Sequence, residues 1–218
     1  MRAIAKGQEP PSLTAHRQTP HCDYDNYADK DQLREKLVAE QRGLCCYCMR
    51  RIENDPEEMK IEHWRCQSNP QYSHLVLSYG NLLGACLGGQ GKPWERQHCD
   101  TRKGDLDLRW NPANPDHQIE RRLRYEPNGS IRSDDPEFDR QLDEVLNLNL
   151  TEHCNSRRAI FEAILDWWKR ERNRLRGPVA PERIQRKRDE YAAAAGELRP
   201  YCQVAVWLLD QRLLRTGR

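Results

Sequence analysis

The chain has 218 residues, 37% of them hydrophobic and 32% charged, at a mean hydropathy of −1.03. That length fits one domain or two small ones, with a lean core that leans on a metal or a partner. Nothing approaches the roughly 18 apolar residues of a membrane helix, and Met1–Pro10 has no apolar stretch of a secretory signal. The expectation is a cytoplasmic chain with reduced thiols and no membrane partner.

Residues 1–28 are interrupted by Pro10, Pro11 and Pro20 and read as an extended N-terminal arm, disordered or ordered by a partner. From Asp29 to about Arg42 the pattern turns helical. Asp31 is a candidate N-cap, Leu33, Leu37 and Val38 share a face, and Gly43 is a stop. A block rich in Cys, His and Gly follows, to about residue 110. Short strands are expected at Met59–Trp64 and Leu82–Cys86. Tyr125–Ile131 reads as a hairpin around Asn128-Gly129. Beyond it the chain is helical. Asp135-Pro136 opens a helix with Phe138, Leu142, Val145 and Leu146 inward. Thr151 is a candidate cap for a long helix through Trp168 that ends at Gly177-Pro178. Pro181 opens another helix through Ala195 to Gly196. Pro200 opens the last, with Val204, Trp207 and Leu208 on one face. The fold class expected is α+β, mainly helical, in three parts: the arm 1–28, a core at 29–110, and a linker with helices at 111–218.

The net charge of +2 is uneven. Residues 157–218 carry 15 Lys/Arg against 8 Asp/Glu, leaving +7 there and −5 elsewhere. Such a tail suits a polyanion or an acidic protein face, or equally a set of solvated helix faces with i,i+4 pairs.

Nine cysteines are an odd number and argue against a complete disulfide set. Cys45 and Cys48 form a C-x2-C pair, and Cys86 and Cys99 lie downstream. Two residues between two cysteines let both thiolates reach one ion, so these four are the candidate ligands of a structural Zn2+. The alternative is a set of ordinary buried thiols. Cys22, Cys46, Cys66, Cys154 and Cys202 lack ligand spacing.

Between and after these cysteines lie Ile61-Glu62-His63-Trp64, Asn81-Leu82-Leu83-Gly84-Ala85-Cys86 and His98-Cys99-Asp100-Thr101-Arg102-Lys103-Gly104. The order C-x2-C, Glu-His, Asn-x4-Cys, Cys-Asp-x2-Lys resembles the HNH endonuclease family, a zinc-bearing ββα-metal fold. Three departures are visible. Glu62 stands where the family has Asp, and Asp100 where it has Asn or His. Leu87–His98 is an insertion between the second pair of cysteines, and its Gly88-Gly89-Gln90-Gly91 run marks a loop.

The resemblance implies metal-dependent hydrolysis of a phosphodiester, in DNA first and in RNA as the alternative. His63 would be the general base. Glu62 and Asp100 would hold a catalytic Mg2+ or Mn2+, and both keep oxygen donors for a hard ion. Asn81 would brace the loop that orients His63. Lys103 or Arg102 would contact the phosphate backbone. Adjacent residues of a strand point to opposite faces, so Glu62 and His63 need a strand end or turn to act together. His98, beside Cys99, is an alternative metal ligand, whereas His74, His117 and His153 read as surface or satisfied histidines.

Within the family the chain is most similar to the PtuB-type HNH component of the Septu anti-phage system. Gln8-Glu9-Pro10-Pro11-Ser12-Leu13, the motif block and the helical tail carry that likeness. It implies a nuclease subunit paired with a PtuA-type ABC ATPase, with the arm and the basic helices as docking surfaces. A non-catalytic zinc-stabilised binding or scaffolding subunit is the competing reading.

Overall fold

The computed structural model describes residues 1–192 and 196–216. The fold is α+β and dominated by helices, with two sheets of two strands each.

The first 28 residues are not a free arm. Pro11–His16 forms a short helix, α1, with Pro11 at its first position, where a missing N–H costs nothing. Met1 and Leu13 are wholly buried, and Ile4 donates its backbone N–H to the Pro112 carbonyl at 2.9 Å. Arg17 and Glu9 pair across α1. The prolines that break helix periodicity are compatible with a segment that gains its order from packing.

Helix α2 spans Lys30–Glu40 and buries Leu33 and Leu37. Its N-cap position is Asp29, not Asp31, and no side chain caps it; Asp31 lies in the first turn and pairs with Arg34. Gly43 then turns the chain with a φ of +75°, and a Cβ there would lie 2.1 Å from Arg51 Nη1. Strands β1 (Met59–His63) and β2 (Leu82–Cys86) pair antiparallel, with Met59 opposite Cys86 and His63 opposite Leu82. All five residues of β2 are buried, because α2 and the next helix, α3 (Cys99–Lys103), both pack against it. Gln41, buried at the end of α2, donates to Gly84 O and accepts from Gly84 N at 2.7 Å, locking helix to strand.

The hairpin at 124–132 forms as expected, as β3 (Arg124–Tyr125) and β4 (Ile131–Arg132). Helix α4 (Pro136–Arg140) is capped by Asp135, whose side chain accepts from Glu137 N and Phe138 N. It runs on through a π-helical turn at Gln141–Val145, and Phe138, Leu142, Val145 and Leu146 are all buried. The long helix α5 (Thr151–Leu175) has Leu150, not Thr151, at its N-cap, and ends on Arg176 in the left-handed region, one residue before Gly177. Helix α6 is described from Pro181 to Ala192, so the expected end at Ala195 lies outside the described residues. Helix α7 (Cys202–Thr216) starts two residues after Pro200. It buries Val204, Ala205, Val206, Leu208 and Leu209, more than one face, because α5, α6 and β3 all pack on it.

The main apolar core runs without a break from Cys45–Met49 through Leu83 and Ala85 into α5, α6 and α7, and includes Met1. A smaller cluster joins Leu13, Tyr27, Leu33, Leu37, Tyr79 and Leu82. No helix among the described residues is long and apolar enough to cross a membrane.

Because Leu13 sits inside that second cluster, Leu13→Ala is expected to cost about 2–5 kcal/mol, read as a lower urea midpoint with an unchanged slope. An unshifted midpoint would return residues 1–28 to the status of a detachable arm.

Candidate metal centre and adjoining acidic site

Three separate pieces of chain bring the four cysteines together. The first is a tight turn closed by the Leu44–Arg51 bridge, in which Cys45 N donates to Arg50 O at 2.8 Å and Met49 N to Cys45 O at 3.1 Å. Met49 adopts a left-handed φ of +66° to complete it. The second is the end of β2, which supplies Cys86. The third is the start of α3, where Cys99, at a φ of +55°, donates its N–H to Leu146 O.

All four sulfurs lie within 4.8 Å of one another and all are buried. Cys45 and Cys99 are 3.9 Å apart, and Cys48 and Cys86 are 3.7 Å apart. These separations exceed the ~2.05 Å of a disulfide, and all nine cysteines are free. Burial pushes the Cys48 and Cys99 thiols well up, whereas at Cys45 the same burial is outweighed by hydrogen bonds from the neighbouring thiols, which hold it well down, so the four do not ionise together. Four thiolates therefore cannot share this space without a cation, and the donor set fits a zinc ion.

The insertion at 87–98 leaves this geometry intact because it closes on itself. His98 N donates to Gly88 O at 2.8 Å, and a Cβ on Gly88 would lie 2.2 Å from the His98 carbonyl. Cys46, between the paired cysteines, is not one of the four clustered sulfurs, and its backbone N–H goes to Gly84 O.

Next to the cysteines is an acidic pair, Glu62 buried and Asp100 half-buried. Glu62, only 3% exposed, accepts at Oε1 from the Tyr47 hydroxyl at 2.6 Å and from Lys103 Nζ at 2.9 Å. Burial pushes its carboxyl well above the usual range, and the hydrogen-bonded Asp100 carboxylate adds to that push against the pull of Lys103. Asp100 also faces Lys60 Nζ at 3.7 Å. Glu62 and Asp100 are thus neighbours, but they belong to no group of three or more ligating side chains among the described residues.

His63 ends β1, the strand end that the Glu-His pair needs. Its Nε2 lies 3.0 Å from the Val76 carbonyl, which can only accept, so Nε2 carries the proton and Nδ1 the lone pair. Tyr24 packs edge-on at 4.5 Å, and burial lowers the His63 pKa below 6.5. Asn81 ties the segment after His63 at both ends. Its Nδ2 donates to Arg65 O at 3.0 Å and to Leu75 O at 3.2 Å, and its Oδ1 accepts from Arg65 N. A cleft of about 630 Å³ opens beside Val76, between Arg17, Asp23 and Asp25 on one wall and Ser73 and His74 on the other.

The two basic residues expected on a phosphate are committed elsewhere. Lys103 is 1% exposed and spends its ammonium on Glu62 and the His63 carbonyl. Arg102 lies 4.0 Å over the Trp94 ring and donates to the Trp94 and Glu144 carbonyls. His98 is buried, with Nδ1 3.2 Å from Cys99 Sγ.

His153 is neither a surface nor a satisfied histidine. It is buried against His98, its Nδ1 faces the Tyr201 hydroxyl at 3.2 Å, and its Nε2 has no partner. Burial, with the charges of His98, Arg157 and Arg50, lowers its pKa to about 3. Nothing local in Glu152-His153-Cys154 signals this placement. Tyr47 was open to notice, since it sits inside the C-x2-C turn.

No family model matches the chain, and no curated protein matches it significantly.

Because the folded chain holds the His63 pKa below 6.5, the unfolded chain binds that proton more readily. The stability due to a neutral His63 is complete above about pH 6.5 and declines as pH falls below it. The stability difference between wild type and His63→Gln should shrink between pH 7.5 and 5.5, by about 1.4 kcal/mol per unit at most, in urea titrations of zinc-loaded protein. A difference that does not change with pH would refute the assignment.

Proposed function

We propose that the chain is a metal-dependent endonuclease of the HNH type, with a structural zinc at Cys45, Cys48, Cys86 and Cys99. The observation that carries the reading is the placement of His63 and Glu62 at the end of β1. Asp100 comes from a helix that follows β2, and Cys99 of the metal centre opens that same helix.

In this reading a water molecule attacks phosphorus. The unprotonated Nδ1 of His63 takes the water's proton as the P–O bond to the leaving sugar oxygen breaks. Nε2–H, held on Val76 O, fixes the ring's tautomer and direction. A buried and a half-buried carboxylate facing each other repel, and Oε1 of Glu62 is already taken by Tyr47 and Lys103. That leaves Oε2 and the Asp100 carboxylate as a hard donor pair suited to Mg2+ or Mn2+. Such an ion, when bound, supplies charge stabilisation at the phosphate. Lys103 acts as a positioning residue that holds Glu62. DNA is the substrate we favour, with RNA as the alternative. The setting we favour is a complex with a PtuA-type ABC ATPase in anti-phage defence.

A second reading has its own support. His63 is only 7% exposed and Lys103 already neutralises Glu62, as in a zinc-stabilised binding or scaffolding subunit whose polar core is purely structural.

His63→Ala separates the two readings. Plasmid DNA and total RNA are incubated with Mg2+ or Mn2+, with and without the ATPase. Cleavage by wild type should fall at least 100-fold in His63→Ala, in keeping with the loss of a general base, while zinc content stays unchanged. Cleavage that survives His63→Ala would overturn the nuclease assignment at this site. Cys45→Ala should lose the zinc and, with it, solubility or cooperative unfolding. A soluble, zinc-free, active Cys45→Ala protein would refute the structural zinc.

A further inference from the structure

The four-cysteine cluster has a neighbour that the motif does not contain. Cys48 Sγ, one ring nitrogen of His98 and one of His153 lie within 4.8 Å of one another, and all three residues are buried. The two imidazoles meet edge to face at 4.4 Å. His98 Nδ1 faces the Cys99 sulfur, and His153 Nδ1 faces the Tyr201 hydroxyl, which leaves Nε2 as the uncommitted nitrogen of His153. For His153 that Nε2 is enclosed and without a hydrogen-bond partner. Buried polar atoms are normally satisfied, and an orphaned one calls for a missing water or ion.

We propose that Cys48, His98 and His153 form a second transition-metal site that shares the Cys48 sulfur with the four-cysteine centre. The protein then holds two ions bridged by one thiolate. The inference rests on the four cysteines binding an ion themselves. Two nitrogens and one thiolate select a borderline ion such as Zn2+ or Co2+ over Mg2+. Charge argues in the same direction. Four thiolates around one divalent ion leave a net negative cluster in a buried place, and a second divalent ion on a shared thiolate cancels it. The arrangement also joins distant parts of the chain. His153 lies in the first turn of α5, so the second ion would pin the helical region to the turn that carries Cys45 and Cys48.

The test is metal stoichiometry on the full chain. Metal-free protein is titrated with Co2+ while thiolate-to-metal and d–d absorption are followed. Zn2+-loaded protein is weighed by native mass spectrometry. Wild type should take up two ions in two spectral phases, the first with the intensity of a tetrathiolate site and the second of mixed nitrogen and sulfur character. His153→Phe and His98→Phe should each hold one ion and retain the first phase. A wild type that binds one ion overturns the second site while leaving the four-cysteine reading standing, and a wild type that binds none overturns both. Two ions in wild type and in both variants would place the second ion elsewhere and equally overturn the proposal. Should a variant fail to fold, the wild-type stoichiometry and its biphasic titration still decide.

Discussion

Four thiols packed within 4.8 Å and shut off from water set the terms for the rest of the molecule. Left without a cation, such a cluster cannot hold four thiolates at once. Two of the segments that carry it are strained or short. The Cys45–Cys48 turn contains a left-handed methionine, and α3 is five residues long, far below what an isolated helix needs. Its first residue, Cys99, is itself left-handed, a conformation that costs roughly 1 kcal/mol or more in a non-glycine residue. A metal at this point would repay that strain and fix α3. Once α3 is fixed, Asp100 and Lys103 are fixed with it. The acidic site is therefore subordinate to the cysteine centre, and the two cannot be treated as independent features.

The polar contacts around Glu62 sharpen the contrast between a structural and a chemical role. A carboxylate buried for stability alone does best with one well-placed cation and no rival. Glu62 has its cation in Lys103 but also faces Asp100, and the net result is a carboxyl pushed upward. A second acid beside the first is a liability to the fold. It becomes useful when a divalent ion sits between the two acids, since Lys103 and Lys60 each reach only one of them. In the proposed reading Lys103 and Tyr47 would aim one oxygen of Glu62 and leave the other, on the Asp100 side, to the ion.

The legible parts of the sequence were those whose chemistry is local. C-x2-C spacing, the two short strands at Met59–Trp64 and Leu82–Cys86, the Asn-Gly hairpin and the Asp135-Pro136 helix start all depend on neighbours within a few residues, and each has its counterpart in the structure. The insertion was readable too, because glycines at 88, 89 and 91 announce a loop that can close at its base. What escaped depends on distant partners. Lys103 looked like a phosphate contact because nothing nearby in sequence shows that Glu62 lies within its reach. His153 looked ordinary because its neighbours are His98, Cys48 and Tyr201, from three other segments. The caps at Asp31 and Thr151 failed by one or two positions, where side-chain capping competes with fraying and tertiary packing.

The same distinction bears on the surfaces expected to meet a partner. Arg157, the first of the basic tail, is buried and donates to the Gly129 and Leu148 carbonyls. Arg183 pairs with Glu171, Lys187 with Glu190 and Arg188 with Asp210, so these cations are engaged within and between the tail's own helices, while the net +7 of the segment stays as it is. The N-terminal segment is likewise spent on the fold, and in a telling place. Tyr24 covers one edge of His63, and Asp23 and Asp25 line the cleft beside Val76, whose carbonyl holds the imidazole. A segment that reads as a tether for another protein is built here into the wall around the candidate base. Its packing contributes to the low exposure of His63, while Asp25 opposes the fall in its pKa, which ties that ring to residues outside the Cys-Glu-His-Asn motif.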